Sequence, residues 1–313
     1  MKQMRLVMGF DDNYVGPFLT TIFSAWLNKT NDFELLIAYE SNKLSRDNRK
    51  LVRKILKLLE IEFVFQRVQL WGLPSASHLI ESAYLRIFLA DKLNERFVWL
   101  DSDMQCKKGW DELLSCESKS AGTVLQAVRD PIVSLNYESS QNKAVAYAKE
   151  DYFNSGVIVV DGVVWKNLGL DMKWREAVLQ YEHLGFEYHD QCVLNYICVE
   201  NFEPLDPKFN VIQILKIFPK PATTCIAHFA GIIKPWYYFS REHLVSQSEL
   251  PIDSLSEYLD IQKYVLDYFK SSESIWRDIN RIYIDSAGKI SEATLSDFEA
   301  QMRNWIEARS SND

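Results

Sequence analysis

Phe97-Val98-Trp99-Leu100-Asp101-Ser102-Asp103 is the stretch that decides how this chain folds. Four consecutive apolar residues read as a short buried strand, and the acidic triplet behind them is its exit. Working outward, similar runs occur at residues 6–10, 33–39 and 61–68, with spacers long enough for helices. Leu51, Val52, Ile55, Leu56 and Leu59 recur at helical spacing in one spacer, and Leu79, Tyr84, Ile87, Phe88 and Leu93 do so in another. This strand–helix rhythm predicts an α/β, Rossmann-like fold whose mixed, mostly parallel sheet is covered by helices. A further run, Gly156-Val157-Ile158-Val159-Val160, lacks alternation and reads as a strand buried on both faces. Residues 117–150 are more polar and are expected to carry a mobile or acceptor-facing loop.

In sheets of this kind ligands bind beyond the carboxyl ends of the strands. Two such ends are acidic, Asp11-Asp12-Asn13-Tyr14 and Asp101-Ser102-Asp103. Asp-x-Asp with a small middle residue lets two carboxylates converge on one hard divalent cation. The bare triplet also arises in solvated loops; the preceding strand is what directs both side chains to the mouth of the sheet. His228, in Ala227-His-Phe-Ala-Gly-Ile-Ile-Lys-Pro-Trp236, adds an imidazole, although a lone histidine among apolar residues is more often a hydrogen-bonded core residue. With Asp101 and Asp103 it makes a two-carboxylate, one-imidazole set that suits Mn2+ better than Ca2+. Gly231 lets backbone approach a ligand, and Lys234 is a compact charge suited to phosphate; a turn with a solvated lysine explains both equally well.

Composition limits the remaining choices. At 313 residues the chain is long enough for about two domains, or one large catalytic domain with an appendage, at roughly 150 residues each. Its 47% hydrophobic content excludes disorder as the main state. Thirty-five Lys and Arg against 43 Asp and Glu give a net charge of -8, the wrong sign for unspecific grip on nucleic acid. Five cysteines with no CxxC pair suggest neither a disulfide framework nor a zinc knuckle, and no apolar run is long enough to span a membrane. A cytoplasmic protein is expected. From Arg241 to Asp313 there are 8 basic and 14 acidic residues, so most of the acidity lies there. Apolar residues at helical spacing in that tail predict packed amphipathic helices, and the expected division is a catalytic domain at 1–240 and an acidic helical region at 241–313.

Six segments in order carry a specific resemblance. They are Phe10-Asp-Asp-Asn-Tyr14, Tyr84-Leu-Arg86, Phe97-Val-Trp-Leu-Asp-Ser-Asp103, Tyr152-Phe-Asn-Ser-Gly156 leading to Trp165, His189-Asp-Gln-Cys-Val-Leu-Asn195, and His228 to Trp236. With them the sequence resembles glycosyltransferase family 8, retaining nucleotide-sugar enzymes with a GT-A fold that include bacterial lipopolysaccharide galactosyl- and glucosyltransferases. The resemblance implies that Asp101, Asp103 and His228 hold Mn2+, with Mg2+ as the alternative, against the diphosphate of a UDP-hexose. It implies that Asp11 contacts the uracil, Asn13 the ribose region, and that Ser102, Gly231, Lys234 and Arg86 help bind the donor. Asn154, Asp190 and Gln191 match positions at the sugar and reaction centre; read alone, Asp190-Gln191 is a polar helix start. His78 matches a position used toward a saccharide acceptor, and a solvated helix-start histidine fits it as well. Cys192 stands where relatives commonly have an acidic residue.

The function this implies is retaining transfer of galactose or glucose to a saccharide acceptor in bacterial surface glycan synthesis. Competing readings are a sugar nucleotidyltransferase, which would want a Gly-rich phosphate loop after the first strand where this chain has Asp11–Tyr14, and a catalytically silent carbohydrate-binding relative. Arg46, Arg49, Lys50, Arg53, Lys54 and Lys57 form the basic side of an expected amphipathic helix. Such a helix can lie on anionic lipid, though packing its apolar face on the sheet is the commoner use. Membrane contact is therefore expected to be peripheral at most, at the inner face of the plasma membrane.

Overall fold

The computed structural model describes residues 3–40, 42–70, 81–131, 133, 140–212 and 221–230. The chain divides into two units, Met1–His228 and Phe229–Asp313, and the described residues lie almost wholly in the first. The expected helical region at 241–313, together with His78, Gly231 and Lys234, lies outside the described residues.

In chain order the elements are β1 (Arg5–Gly9), α1 (Val15–Leu27), β2 (Glu34–Glu40), α2 (Arg46–Leu58), β3 (Glu62–Val68), α3 (Leu85–Lys92), β4 (Arg96–Leu100) and β5 (Met104–Cys106). They continue with β6 (Leu125–Arg129), α4 (Lys143–Ala148), β7 (Phe153–Asp161), α5 (Gly162–Asn167), α6 (Leu170–Leu179), α7 (His189–Cys198), β8 (Phe202–Pro204), β9 (Val211–Ile212) and β10 (Ile226–His228). Seven strands form one sheet in the order β3-β2-β1-β4-β7-β6-β8, and β5, β10 and β9 form a second. β1 to β4 are parallel, β7 runs antiparallel between β4 and β6, and β8 is parallel to β6. The sheet is mixed and mostly parallel, as the sequence rhythm requires.

β4 is central because Phe97, Val98, Trp99 and Leu100 are all fully buried, which only a strand covered on both faces allows. The chain leaving it is held by α1, an otherwise apolar helix with buried hydroxyls. Thr21 Oγ1 lies 2.9 and 2.8 Å from the carbonyls of Ser102 and Met104, and Ser24 Oγ accepts the Cys106 N–H at 2.9 Å. These bonds satisfy backbone groups of the β4–β5 turn that would otherwise be buried without partners.

Two expectations about local structure need correction. Phe153, Asn154 and Ser155 do not precede the strand but lie within β7, which begins at Phe153. Polar side chains are tolerated there because they are hydrogen-bonded, Asn154 to Gln191 and Ser155 to Asp190. The segment 117–150 is not simply a loop: it holds β6 and α4. α4 is hard to read from sequence because its buried side is small, Ala144, Val145 and Ala148, while β6 carries a buried Gln126 whose amide bonds Glu203, Arg96 and the Glu117 carbonyl.

Candidate active site

Asp101 leaves β4 with its backbone N–H bonded to Gly156 O at 2.9 Å, so the β4–β7 ladder continues into the acidic triplet. Its Oδ1 accepts Trp99 Nε1 at 2.8 Å and pairs with Arg86 Nη2 at 2.9 Å. Ser102 Oγ donates to Gly9 O at 3.2 Å, tying the triplet to the end of β1. Asp103 leads into β5, and antiparallel pairing of β5 with β10 sets Met104 opposite His228. That register brings His228 Nε2 to 3.4 Å from Asp103 Oδ1. Ligand atoms of Asp101, Asp103 and His228 all lie within 4.8 Å of one another, the sole such group among the described residues.

Hydrogen bonding also settles which imidazole nitrogen faces the carboxylates. Asn210 Nδ2 donates to Asn154 Oδ1 at 2.8 Å, which turns Asn210 Oδ1 toward His228 Nδ1, also at 2.8 Å. Nδ1 must then donate, so Nε2 is the nitrogen turned to the carboxylates and the candidate ligand atom. Gly156 makes room: a Cβ there would strike the His228 ring and stand 2.9 Å from Met104 Cε. Burial raises the Asp101 pKa, and the Asp103 charge adds to this against the opposing pull of Arg86 and His228. Two crowded carboxylates beside an imidazole Nε2 fit a divalent cation, and an O,O,N donor set suits Mn2+ and accepts Mg2+.

Across Arg86 lies a second cluster. Asn195 clips α7 to β7, its Nδ2 donating to Phe153 O and its Oδ1 accepting Phe153 N–H, both at 2.8 Å. Losing this clip would orphan two buried backbone groups, at about 1–3 kcal/mol each. The α7 start is held as well: His189 adopts φ +46°, unusual for a non-glycine residue, and its N–H donates to Tyr181 Oη at 3.1 Å. Gln191 Oε1 accepts Asn154 Nδ2 and Ser155 N–H, each at 3.1 Å. Asp190 Oδ2 pairs with Arg86 Nε at 3.0 Å and accepts Ser155 Oγ at 3.1 Å. Burial pushes the Asp190 pKa up to about 6, with Arg86 opposing.

Arg86 joins the clusters. It bonds Ser155 O and Oγ through Nη1 at 2.5 and 3.0 Å, and its guanidinium lies 5.2 Å over the Trp99 ring. Burial works against its charge, but Asp101, Asp190 and Asp103 together raise its pKa. At the end of β1, Asp11 caps a short turn by accepting Asn13 N–H at 2.9 Å, and Asp12 Oδ1 accepts Ser45 N–H and Asn48 Nδ2 at the start of α2, both at 2.8 Å. Asn13 is exposed. The Asx turn that the spacing allowed is thus formed, on the same cleft-facing end of the sheet as Asp101.

A sequence profile of glycosyl transferase family 8 matches residues 5–240. The chain belongs to that family. The lipopolysaccharide 1,2-glucosyltransferase of Escherichia coli strain K12 is 26% identical over 262 residues, covering 75% of this chain and 73% of its own length. General stress protein A of Bacillus subtilis strain 168 is 24% identical over 255 residues, covering 74% of this chain and 87% of its own. Among solved structures, the galactosyltransferase LgtC in complex with donor and acceptor sugar analogs superposes with a TM-score of 0.62 at 19% identity, over 81% of this chain and 100% of that one. This glycosyltransferase has the GT-A fold, and family membership sets aside the nucleotidyltransferase reading. Among its described residues no helix is long and apolar enough to cross a membrane.

Several site residues escaped sequence reading. Asp130, directly after β6, is buried with Oδ2 at 3.5 Å from both Asn154 Nδ2 and Gln191 Nε2. Its signal is weaker than that of Asp101, because Gln126 and Arg129 interrupt the apolar residues of β6 before it. Asn210, which orients His228, has no such signal: it precedes a two-residue strand and its role exists only through contacts remote in sequence.

Proposed function

We propose that this glycosyltransferase moves a hexose, galactose or glucose, from a UDP-sugar to a saccharide acceptor with retention of anomeric configuration, in the building of a bacterial surface glycan. The observation that carries the reading is the convergence of Asp101, Asp103 and His228 beside the Asn154–Gln191–Asp190 cluster, with Arg86 spanning both. Those three residues would hold Mn2+, which would supply Lewis acidity toward the diphosphate leaving group. Asp11 and Asn13 border the nucleoside end, Ser102 shapes the Asp101–Asp103 turn, and Gly231, Lys234 and His78 belong to this proposal through the family motif alone.

The chain's own groups favour front-face attack over a covalent intermediate. Gln191 Oε1 is already committed to Ser155 N–H and Asn154 Nδ2, and a neutral amide is a poor nucleophile. Asp190 is engaged by Arg86 and Ser155. In this reading Gln191 steadies the oxocarbenium-like centre, Asp190 and Asn154 orient sugar hydroxyls, and the departing UDP oxygen takes the acceptor proton. The test is incubation with Mn2+ and a panel of UDP-hexoses, following slow UDP release and then product NMR with a saccharide acceptor. An α-linked product from an α-configured donor is expected; a β-linked product rejects the retaining reading, and no UDP release from any donor rejects transfer altogether and favours the silent relative.

A cytoplasmic site of action with peripheral membrane contact is part of the same proposal. α2 buries Val52, Ile55, Leu56 and Leu59 and exposes Arg46, Lys50, Arg53 and Lys57. The apolar face is therefore spent on the core, and any membrane attraction is electrostatic, about 1 kcal/mol per basic residue near an anionic surface. Sedimentation with vesicles containing anionic lipid should show binding that is lost at high salt and in a variant with all four residues changed to Gln. Salt-insensitive binding, or none, removes α2 as a membrane contact.

A further inference from the structure

Cys192 follows Gln191 on α7, is completely buried, and forms no disulfide. Nothing in the proposed reaction uses it, yet three donors converge on its sulfur. Asn142 Nδ2 and the Tyr188 N–H each stand 3.2 Å away, and Tyr152 Oη stands 3.3 Å away. A free cysteine usually behaves as a small apolar residue with weak polar capacity, so this density of donors is unusual.

The direction of the bonds follows from what each group can do. Gln191 Nε2, which only donates, lies 3.5 Å from Tyr152 Oη. The Tyr152 hydroxyl is fully buried and has a single hydrogen, for which Cys192 Sγ is the acceptor in reach among the described residues. The bonds therefore run from Gln191 Nε2–H to Tyr152 Oη, and from Tyr152 Oη–H to Cys192 Sγ. This order agrees with the other end of the amide, where Oε1 receives Ser155 N–H and Asn154 Nδ2. A flipped Gln191 would set its NH2 against those donors.

We propose that Cys192 is a positioning residue for glycosyl transfer: its sulfur anchors the Tyr152 hydroxyl, and the hydroxyl fixes the Gln191 amide in the orientation that faces the transferring sugar. This rests on the reading that Gln191 borders the reacting carbon. Cys192 touches neither donor nor metal, so it acts on turnover and leaves ground-state binding alone.

The experiment compares Cys192→Ala, Cys192→Ser, Tyr152→Phe and Gln191→Ala, and Cys192→Ala combined with Gln191→Ala, measuring kcat, donor KM and Mn2+ affinity. Cys192→Ala is expected to lower kcat about tenfold, with donor KM and Mn2+ affinity within about twofold of the parent. Cys192→Ser restores most of the rate because the hydroxyl accepts the same bond, and adding Cys192→Ala to Gln191→Ala costs less than about twofold more. If Cys192→Ala does not fold, Tyr152→Phe, which keeps the ring, carries the test with the same expected tenfold loss. A slow Gln191→Ala beside a Cys192→Ala or Tyr152→Phe of parental rate overturns the role of Cys192, as does a Cys192→Ala loss that multiplies fully with Gln191→Ala. A Gln191→Ala protein with parental kcat instead removes the reading of Gln191, and the proposal with it.

Discussion

At the metal corner, Asp101, Asp103 and His228 arrive on two different sheets and place two carboxylates and an imidazole within 4.8 Å. On the other side of Arg86, Asn154 and Ser155 from β7 and Gln191 from α7 form a closed set of neutral amide, hydroxyl and backbone bonds. The first region concentrates charge that folding alone leaves poorly compensated, which is why burial and Asp103 raise the Asp101 pKa. The second satisfies its polar groups internally and so holds one geometry without a ligand. The contrast teaches a division of labour in which affinity for a charged donor is concentrated in the first region and the shape of the reaction centre in the second.

The largest expected effect tests whether the metal corner carries charge recognition. Asp103→Asn keeps the side-chain size but removes the charge. It should lower transfer about a thousandfold, on the scale of several kcal/mol of metal-borne charge stabilisation. Calorimetry should show Mn2+ binding lost, while thermal stability with EDTA stays at or above that of the parent because carboxylate crowding is relieved. Parental Mn2+ affinity in this variant would dissolve the contrast.

A smaller effect is expected one layer back. Asn210→Ala deprives His228 Nδ1 of its acceptor and Asn154 Oδ1 of a donor, so it touches both regions. Mn2+ affinity should fall about 10- to 100-fold, the usual cost of removing a group that orients a metal-bound histidine. At saturating Mn2+ most of the rate should return; a deficit that persists there would mean Asn210 serves the Asn154 side more than the metal side.

The smallest effect sharpens the electrostatic boundary, because Asp190 is the one carboxylate in the second region that directly pairs with Arg86. Its folded pKa of about 6 lies above the ordinary aspartate value of about 3.9. Between those values the folded protein holds a proton that the unfolded chain has released. Stability from this group is therefore complete below about pH 4 and is lost as pH rises to about 6. Melting of metal-free protein across that window should show a decline in Tm of a few degrees in the parent relative to Asp190→Asn. Parallel curves would mean that Arg86 compensates Asp190 fully.

Much of this was legible in the chain. Phe97–Leu100 announced β4 because four consecutive apolar residues suit a strand covered on both faces, and Asp101-Ser102-Asp103 announced the mouth because that strand directs both acids to its exit. The basic face of α2 was equally plain, since a helix repeats on a period that sequence displays. β7 was read from Gly156, three residues short, because Asn154 and Ser155 break the apolar run, yet both side chains are buried and hydrogen-bonded.

What the sequence by itself determined was β1 to β4 with α2 and α3, and the Asp101, Asp103 and His228 side chains, since these follow from local periodicity and from chemistry carried by single residues. The tertiary structure alone decided their pairing. The β5–β10 register puts His228 beside Asp103, Asn210 chooses the imidazole nitrogen, Asn195 locks α7 onto β7, and Cys192 gathers Asn142 and Tyr152 behind Gln191. Those partners are far apart along the chain, and a hydrogen bond depends on distance and direction in space, which no spacing along a single strand or helix encodes.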